Sequence, residues 1–595
     1  MDQQMLTGNR LLKTITEKDG EDMKWLCKLL LSLSMVLTMV VSVLGVSAFA
    51  AEDKQNKNEI TLEKLLPKAL YVDKTKSAGL RGDVKVAVDF PSGGGVLYLP
   101  GSADTSKLCF SWVGKDITFS NGGKTYKSGK APIAPAGKKV TYTVSNGKLA
   151  APLTIKTMKG SSKVDAAFLE LDESKGSILN MQLDPDHETD AFGQIKVGDH
   201  KKKYIKIHGR GSSTWIMPKK PYNFTVYDDE TYTTKDKTEL IDGVKKKKWT
   251  LLANYYDNAL MRNKIAQDLA YDMGIGLKTK FVDLWMNGTY LGSYLLTPKK
   301  DTYCDDNGFV LENNHQLPDD ESEELFEFPQ MHTMPGKHNY LIIDDIGDNA
   351  KANGVNAKSI EKWFAKAWKT VLDHDSEAYQ QYFDIESWAK MYLMFEVSKT
   401  YDCYAGNILM HRDGMTKKDK LIAGPAWDYD IAFGRTLHKF LVGVSEPVQL
   451  NAEGWYNDSI GFFVSGDEPV AVLQELGKHP SFMREVARVY NQYKSSFEGL
   501  EANVVKQEKL LRQSAYMNND LFGTNSLSAE YVVAPNTMAS LGTGKYKLNY
   551  KVTLTWDDYI YNLREYCRKR TMWLSDHLAP GVDITTYHGG TVSTK

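Results

Sequence analysis

Asp402-Cys403-Tyr404-Ala405-Gly406-Asn407 leads into the apolar run Ile408 to His411, a polar turn, a second run from Ile422 to Ala426, and then Trp427-Asp428-Tyr429-Asp430. Just upstream, Trp388 to Ser398 has helical character. The stretch therefore reads as a helix, an acidic loop, a β-hairpin and a second acidic loop. His411-Arg412-Asp413 falls at the strand end and turn of that hairpin. Lys418 rather than Asn stands five residues beyond Asp413, so this tripeptide is assigned to the turn and not to chemistry.

An Asp with an Asn five residues later, followed by an Asp beyond a hairpin, matches the protein-kinase spacing of base, metal-binding Asn and metal-binding Asp. Phosphoryl transfer needs a carboxylate to orient the attacking hydroxyl. It also needs oxygen ligands for magnesium, a hard octahedral ion satisfied by one or two carboxylates plus phosphates. On this reading Asp402 is the catalytic residue, and Asn407 and Asp428 hold metal, with Asp430 a further candidate ligand. The D-x-x-x-x-N spacing alone is common. The Trp-Asp-x-Asp at hairpin distance is what makes the pattern specific.

Working toward the N-terminus, Phe281 to Met286, Asn287-Gly288 and Tyr290 to Leu296 form a strand, a type I′ turn signal and a returning strand. Before it, Trp249 to Ala253 reads as a buried strand. Asp257 is placed to cap a helix from Asn258 to Met273, ended by Gly274. Further up, β-like Tyr204 to His208 meets Gly209-Arg210-Gly211-Ser212-Ser213-Thr214-Trp215 and Pro218-Lys219-Lys220-Pro221, and a second strand runs from Tyr222 to Tyr227. Backbone N–H groups and the Ser212 and Ser213 hydroxyls could donate to phosphate oxygens there, with Lys219 or Lys220 neutralising charge. The segment is neither a Walker A loop nor a kinase Gly-rich loop, so an ordinary hairpin with two surface lysines competes with that reading.

Taken in order, these stretches resemble the spore coat protein H (CotH) kinase family: the Gly209 to Trp215 turn with Pro218 to Tyr222, then Leu251-Leu252-Ala253-Asn254 with Arg262-Asn263-Lys264, then Asn287 to Leu296, then Gly424-Pro425-x-Trp427-Asp428-Tyr429-Asp430-x-x-Phe433-Gly434. The resemblance covers roughly residues 164–577. It implies an α+β chain with a divergent two-lobed protein-kinase-like fold. It also implies use of ATP with Mg2+ or Mn2+ to phosphorylate Ser or Thr of secreted or spore-coat proteins. By motif position, Lys219, Lys220, Ser212, Ser213 and Arg262 would contact the nucleotide, Asp402 would act as the acid/base, and Asn407, Asp428 and Asp430 would hold the metal. An acidic residue often follows the Leu-Leu-Thr of the hairpin in this family. Pro298 stands there in this chain, which leaves the lysine's partner unassigned.

The rest of the chain frames this domain. Residues 1–50 read as a signal peptide, with Met23 as the natural start, a basic stretch from Lys24 to Lys28, an apolar run from Leu29 to Val46 and Ala48-Phe49-Ala50 before the cleavage point. An uncleaved anchor is the competing reading, because the apolar run approaches the roughly 20 residues that span a bilayer. A secreted or cell-surface protein of a Gram-positive-type bacterium is expected, with a secreted protein as substrate and no stable membrane span after cleavage. Residues 51–69 form a linker. Residues 70–160 read as a small antiparallel β-sandwich module, separable near residues 160 to 170, ahead of a kinase-like domain at 164–578 and a tail at 579–595. The acids from Asp184 to Asp190 lack the Gly and the bidentate Glu of an EF-hand, and read as a solvated loop. In the insertion from Asp319 to Gly354, His332 and His338 are more readily surface residues than metal ligands. A net charge of -1 gives no global field for nucleic acid. No two cysteines form a C-x-x-C pair, so a zinc site is not expected. The other class of function is a non-catalytic surface protein that binds a protein or glycan through its β-module. A base and two metal ligands at kinase spacing serve no purpose in such a protein.

Overall fold

The computed structural model describes residues 62–66, 69–211, 213–300, 306–314, 325–327, 340–400, 407–437, 451–457, 472–523, 528–530, 554–582 and 584. The expected signal segment, Ser212, His332, His338, Asp402 and the tail from 585 onward lie outside these residues.

The N-terminal module buries alternate residues, such as Val84 and Val86, Tyr142 and Val144, or Leu153 and Ile155, as half-buried strands do. Its strands form one continuous nine-stranded sheet. Gly94–Leu99 runs parallel to Ala150–Lys159, so the expected antiparallel sandwich is corrected to a mixed sheet. The reason lies in the connection, since five other strands intervene between these two in sequence and the chain returns in the same direction. Folding also starts earlier than expected, because Leu62, Leu65 and Leu66 of the supposed linker are buried in the module's core.

Seven strands then close into a barrel: β1 (Asp165–Leu171), β2 (Ala191–Val197), β3 (Lys203–Gly209), β4 (Tyr222–Tyr227), β5 (Lys248–Leu252), β6 (Lys280–Met286) and β7 (Thr289–Pro298). The order is β1-β2-β3-β4-β5-β7-β6, and the parallel pairing of β1 with β6 completes the ring. Inward residues including Leu169, Ile195, Ile207, Phe224, Leu251 and Leu284 fill the interior as a packed core. The β6–β7 turn has Asn287 and Gly288 at φ of 45° and 82°, the left-handed pair that a type I′ hairpin requires.

Beside the barrel lies an antiparallel five-stranded sheet of β8 (Phe309–Asn314), β9 (Leu325–Glu327), β10 (Tyr340–Ile346), β11 (Ile408–Arg412) and β12 (Ile422–Ala423), in the order β9-β10-β8-β11-β12. The β11–β12 pair is the hairpin expected between the two acidic loops, and Arg412 of the decoy tripeptide lies over Trp363 at 4.3 Å. Among the helices that pack the remaining core are α1 (Arg262–Asp272), α2 (Ile385–Ser398), α3 (Leu500–Phe522) and α4 (Trp556–His577). Helix α1 begins four residues later than expected. Leu260 takes a φ of 62°, outside the helical region, and the Asp257 carboxylate accepts the N–H groups of Ala259 and Arg262.

Within residues 160 to 170, where the module is expected to be separable, Ser161 is tied to helix α3. Ser161 donates its N–H to Ser514 on α3, and its hydroxyl accepts the N–H groups of Gln513 and Ser514. The module and the barrel share one hydrophobic cluster through Phe168, Trp285 and Tyr290, with Met517 of α3.

Candidate functional site

The carboxylates of the second acidic loop depend on helix α1. Gln267 donates to the Ala426 carbonyl at 2.6 Å, the Asn263 side-chain oxygen accepts the Tyr429 N–H at 2.7 Å, and Arg262 donates to the Ala432 carbonyl at 2.9 Å. Asn263 and Gln267, four residues apart on one helix face, and Arg262 at the helix start thus fix the loop on either side of Asp428. Asp428 itself has a φ of 62°. That left-handed conformation is uncommon for a residue with a side chain and is tolerated best by Asn and Asp.

Around Asp428 two cations and several acids face one another where the barrel meets the five-stranded sheet. Arg210 follows the end of β3, Lys300 follows β7, Glu312 is in β8, Asp344 is in β10, and Asp430 lies two residues beyond Asp428. Lys300 pairs with Glu312, and its ammonium is 3.4 Å from Asp344. The ladder pairs Val310 with Asp345 and Leu311 with Ile343, so Asp344 is the extra residue of a β-bulge. A bulge of this kind turns a side chain out of the regular alternation. Arg210 lies 5.8 Å from the centre of the Trp427 ring.

The electrostatics follow from burial and charge together. Burial pushes the Asp428 carboxyl up, against the opposing pull of Arg210, a hydrogen bond with Asp430, and Lys300. Burial lowers the Arg210 guanidinium, which Asp428, Glu312 and Asp430 partly restore. For Lys300 burial alone would lower the ammonium, yet Asp344 and Glu312 outweigh it and the group is held above its ordinary value. Lys300 is a cation at neutral pH.

The other expected residues fall as follows. Asn407 has a φ of 64° and stands one residue before β11, where Ile408 and Leu409 pair with Asn313 and Glu312. Lys219 is 1% exposed, donates to the Ser293 carbonyl and lies 4.8 Å from the Tyr294 ring centre. Burial drives its amine down to about 7, and the acids acting on it are Asp283 and Asp257, not Asp428. Lys220 donates to the Trp215 carbonyl and sits over that ring at 4.3 Å, with its amine lowered by burial to about 8. Ser213 is exposed, and its carbonyl accepts the Tyr256 hydroxyl. Arg262 is also 1% exposed, and its guanidinium is spent on Asp257 at 2.5 Å and on the Ala432 carbonyl.

Among the described residues no three His, Cys, Asp or Glu side chains form a ready metal cage. Asp428 and Asp430 still suit magnesium or manganese, for they are two hard oxygen donors two residues apart in one loop, and such ions take few protein ligands. Lys300, Glu312 and Asp344 carried no sequence motif, and Arg210, though inside the Gly209 to Trp215 turn, was assigned no role from the sequence. The available signal was Glu312 directly after the apolar run Phe309-Val310-Leu311, an acid continuing a buried strand. In comparisons with known proteins, the family model described as CotH kinase protein matches residues 205–574, from within β3 to within α4. No curated protein matches the chain.

Proposed function

Because the chain belongs to the CotH kinase family, we propose that it is a secreted protein kinase that transfers the γ-phosphoryl group of ATP to Ser or Thr hydroxyls of extracellular or spore-coat proteins. The observation that carries this reading is the meeting of Arg210 and Lys300 with Asp428 and Asp430 at the barrel's edge. Anionic phosphates need fixed cations, and the divalent ion that accompanies them needs carboxylates.

In this mechanism Arg210 and Lys300 hold the phosphate oxygens, with Glu312 and Asp344 fixing the Lys300 ammonium in place. Asp402 orients the acceptor hydroxyl and receives its proton. The hydroxyl oxygen bonds to the γ-phosphorus, the bond from phosphorus to the β–γ bridging oxygen breaks, and ADP leaves with that electron pair. Asn407, Asp428 and Asp430 are the residues that would hold Mg2+ or Mn2+, which supplies charge neutralisation at the phosphate oxygens. The barrel with its adjoining sheet takes the part of the nucleotide lobe and the helices the part of the acceptor lobe. Secretion rests on residues 1–50, and no described helix is long and apolar enough to cross a membrane.

The test is transfer of labelled phosphate with ATP and magnesium or manganese, beside calorimetric titration of the nucleotide. Asp402→Asn should lower transfer by about 10² to 10⁴ while leaving nucleotide affinity nearly intact, the usual contribution of a positioned base. Asp428→Asn should weaken both, since a neutral amide replaces a carboxylate on a hard cation. Undiminished transfer in both variants would place the chemistry elsewhere.

A further inference from the structure

Asn263 is buried at 3% exposure within a line of amides. The Asn254 side chain donates to the Leu260 carbonyl, the Asn263 side chain donates to the Asn254 side-chain oxygen at 3.1 Å, and the Asn263 oxygen accepts the Tyr429 N–H. Asn254 is itself left-handed, with a φ of 48°, as are Asp428 and Phe433 at 62° and 49°. The far side of the Asn254 to Leu260 turn lines the cavity that holds Lys219, so the turn is packed from behind as well.

We infer that Asn263 is a positioning residue for Asp428, acting through the backbone of the loop. A left-handed residue persists only where its surroundings over-determine it. The peptide that follows Asp428 has its N–H captured by Asn263, and this fixes the plane from which the Asp428 side chain projects. Arg262 and Gln267 hold the loop at points on either side, at the Ala432 and Ala426 carbonyls. The Asn254–Asn263 bond sets which way the Asn263 amide faces: its nitrogen is committed to Asn254 and its oxygen to the loop. Asn, with one donor and one acceptor group on a planar head, suits this position where Ala would leave the Tyr429 N–H buried without an acceptor.

The inference rests on the metal-binding role proposed for Asp428, so the test separates the two. In the protein without nucleotide, Asn263→Ala should raise hydrogen exchange of the Tyr429 amide by about 10 to 100-fold, as an N–H released from a buried acceptor does. Asn263→Asp, which keeps an acceptor oxygen but gives up the donor to Asn254, should leave that amide about 10-fold or more better protected than Asn263→Ala does, and equal exchange in the two variants overturns the inference. In calorimetric titration with Mg–ATP, Asn263→Ala should weaken binding about 10-fold or more, the scale on which groups behind a metal ligand act. It should add nothing further in an Asp428→Asn background. Wild-type exchange at Tyr429 in Asn263→Ala overturns the inference, and so does unchanged nucleotide affinity when Asp428→Asn alone loses it. If Asp428→Asn binds nucleotide as wild type does, the metal role of Asp428 falls, and the Tyr429 exchange rate alone decides whether Asn263 positions the loop.

Discussion

Lys219 and Lys300 are both buried amines, and their surroundings drive them in opposite directions. Burial wins at Lys219, where the amine falls to about 7, whereas Asp344 and Glu312 override burial at Lys300. A lysine that must meet phosphates at neutral pH has to stay charged, so the two should respond differently to removal of the charge. Lys300→Met should weaken ATP binding by roughly 10 to 100-fold, the worth of one or two charge-assisted hydrogen bonds. Lys219→Met should leave it within about twofold, because its ammonium is committed to the Ser293 carbonyl. Calorimetric titration of both variants checks this, and equal loss in both would return Lys219 to the nucleotide. Sequence spacing could nominate Asp428 because a loop after a hairpin is a local pattern. It could not choose among the lysines, since what distinguishes them is burial and charge contributed by residues far along the chain, Asp283 for one and Glu312 with Asp344 for the other.

At the scale of elements, helix α3 joins parts of the fold that the sequence presents separately. Its Ser514 donates to Asp283 of β6 at 2.6 Å while accepting from Ser161 at the end of the module. Burial raises the Asp283 carboxyl to about 7, despite the hydrogen bond from Ser514 and the charge of Lys219. The folded state therefore keeps a proton that the unfolded chain releases above its ordinary value of 3.8. The stability gained from Asp283 is fully present below that value and is lost as pH rises toward 7, with a slope of up to about 1.4 kcal/mol per pH unit. Urea midpoints at pH 5 and pH 7 should fall across that interval in the wild type, and the fall should shrink in Asp283→Asn. The hairpins and the helix segments were legible in the sequence because each rests on a short repeat, as with Asn287-Gly288 or the apolar face of α1. The barrel was not, because its closure is the pairing of β1 with β6, two strands more than a hundred residues apart whose local sequences say nothing of each other.

For the whole molecule the shared core has an energetic consequence. The Trp285 indole donates to the Tyr98 carbonyl, the Lys85 N–H reaches the Gly288 carbonyl, and Phe168 stacks on Trp285 with ring centres 5.2 Å apart. Removing residues up to 160 would expose Phe168, Trp285, Tyr290 and Met517 together, at about 1.5 to 3 kcal/mol for each large side chain. That sum rivals the entire stability of a typical domain. A chain starting at Ser161 should melt at least several degrees lower than the full chain and bind a hydrophobic dye, as thermal unfolding and dye fluorescence would show. Equal melting temperatures would mean that the module is an independent passenger. The same arrangement also sets a timetable for synthesis. Tyr98 in the module donates to Asp520 of α3, a partner 422 residues further along the chain. A ribosome adding about 5 to 20 residues per second needs on the order of 20 to 80 s to cover that distance. Phe168, Trp285 and Tyr290 can cover their part of the module's aromatic face earlier, but the Tyr98 hydroxyl and the patch under Met517 stay open until α3 has been made, and for that interval they depend on whatever holds unfinished chains apart.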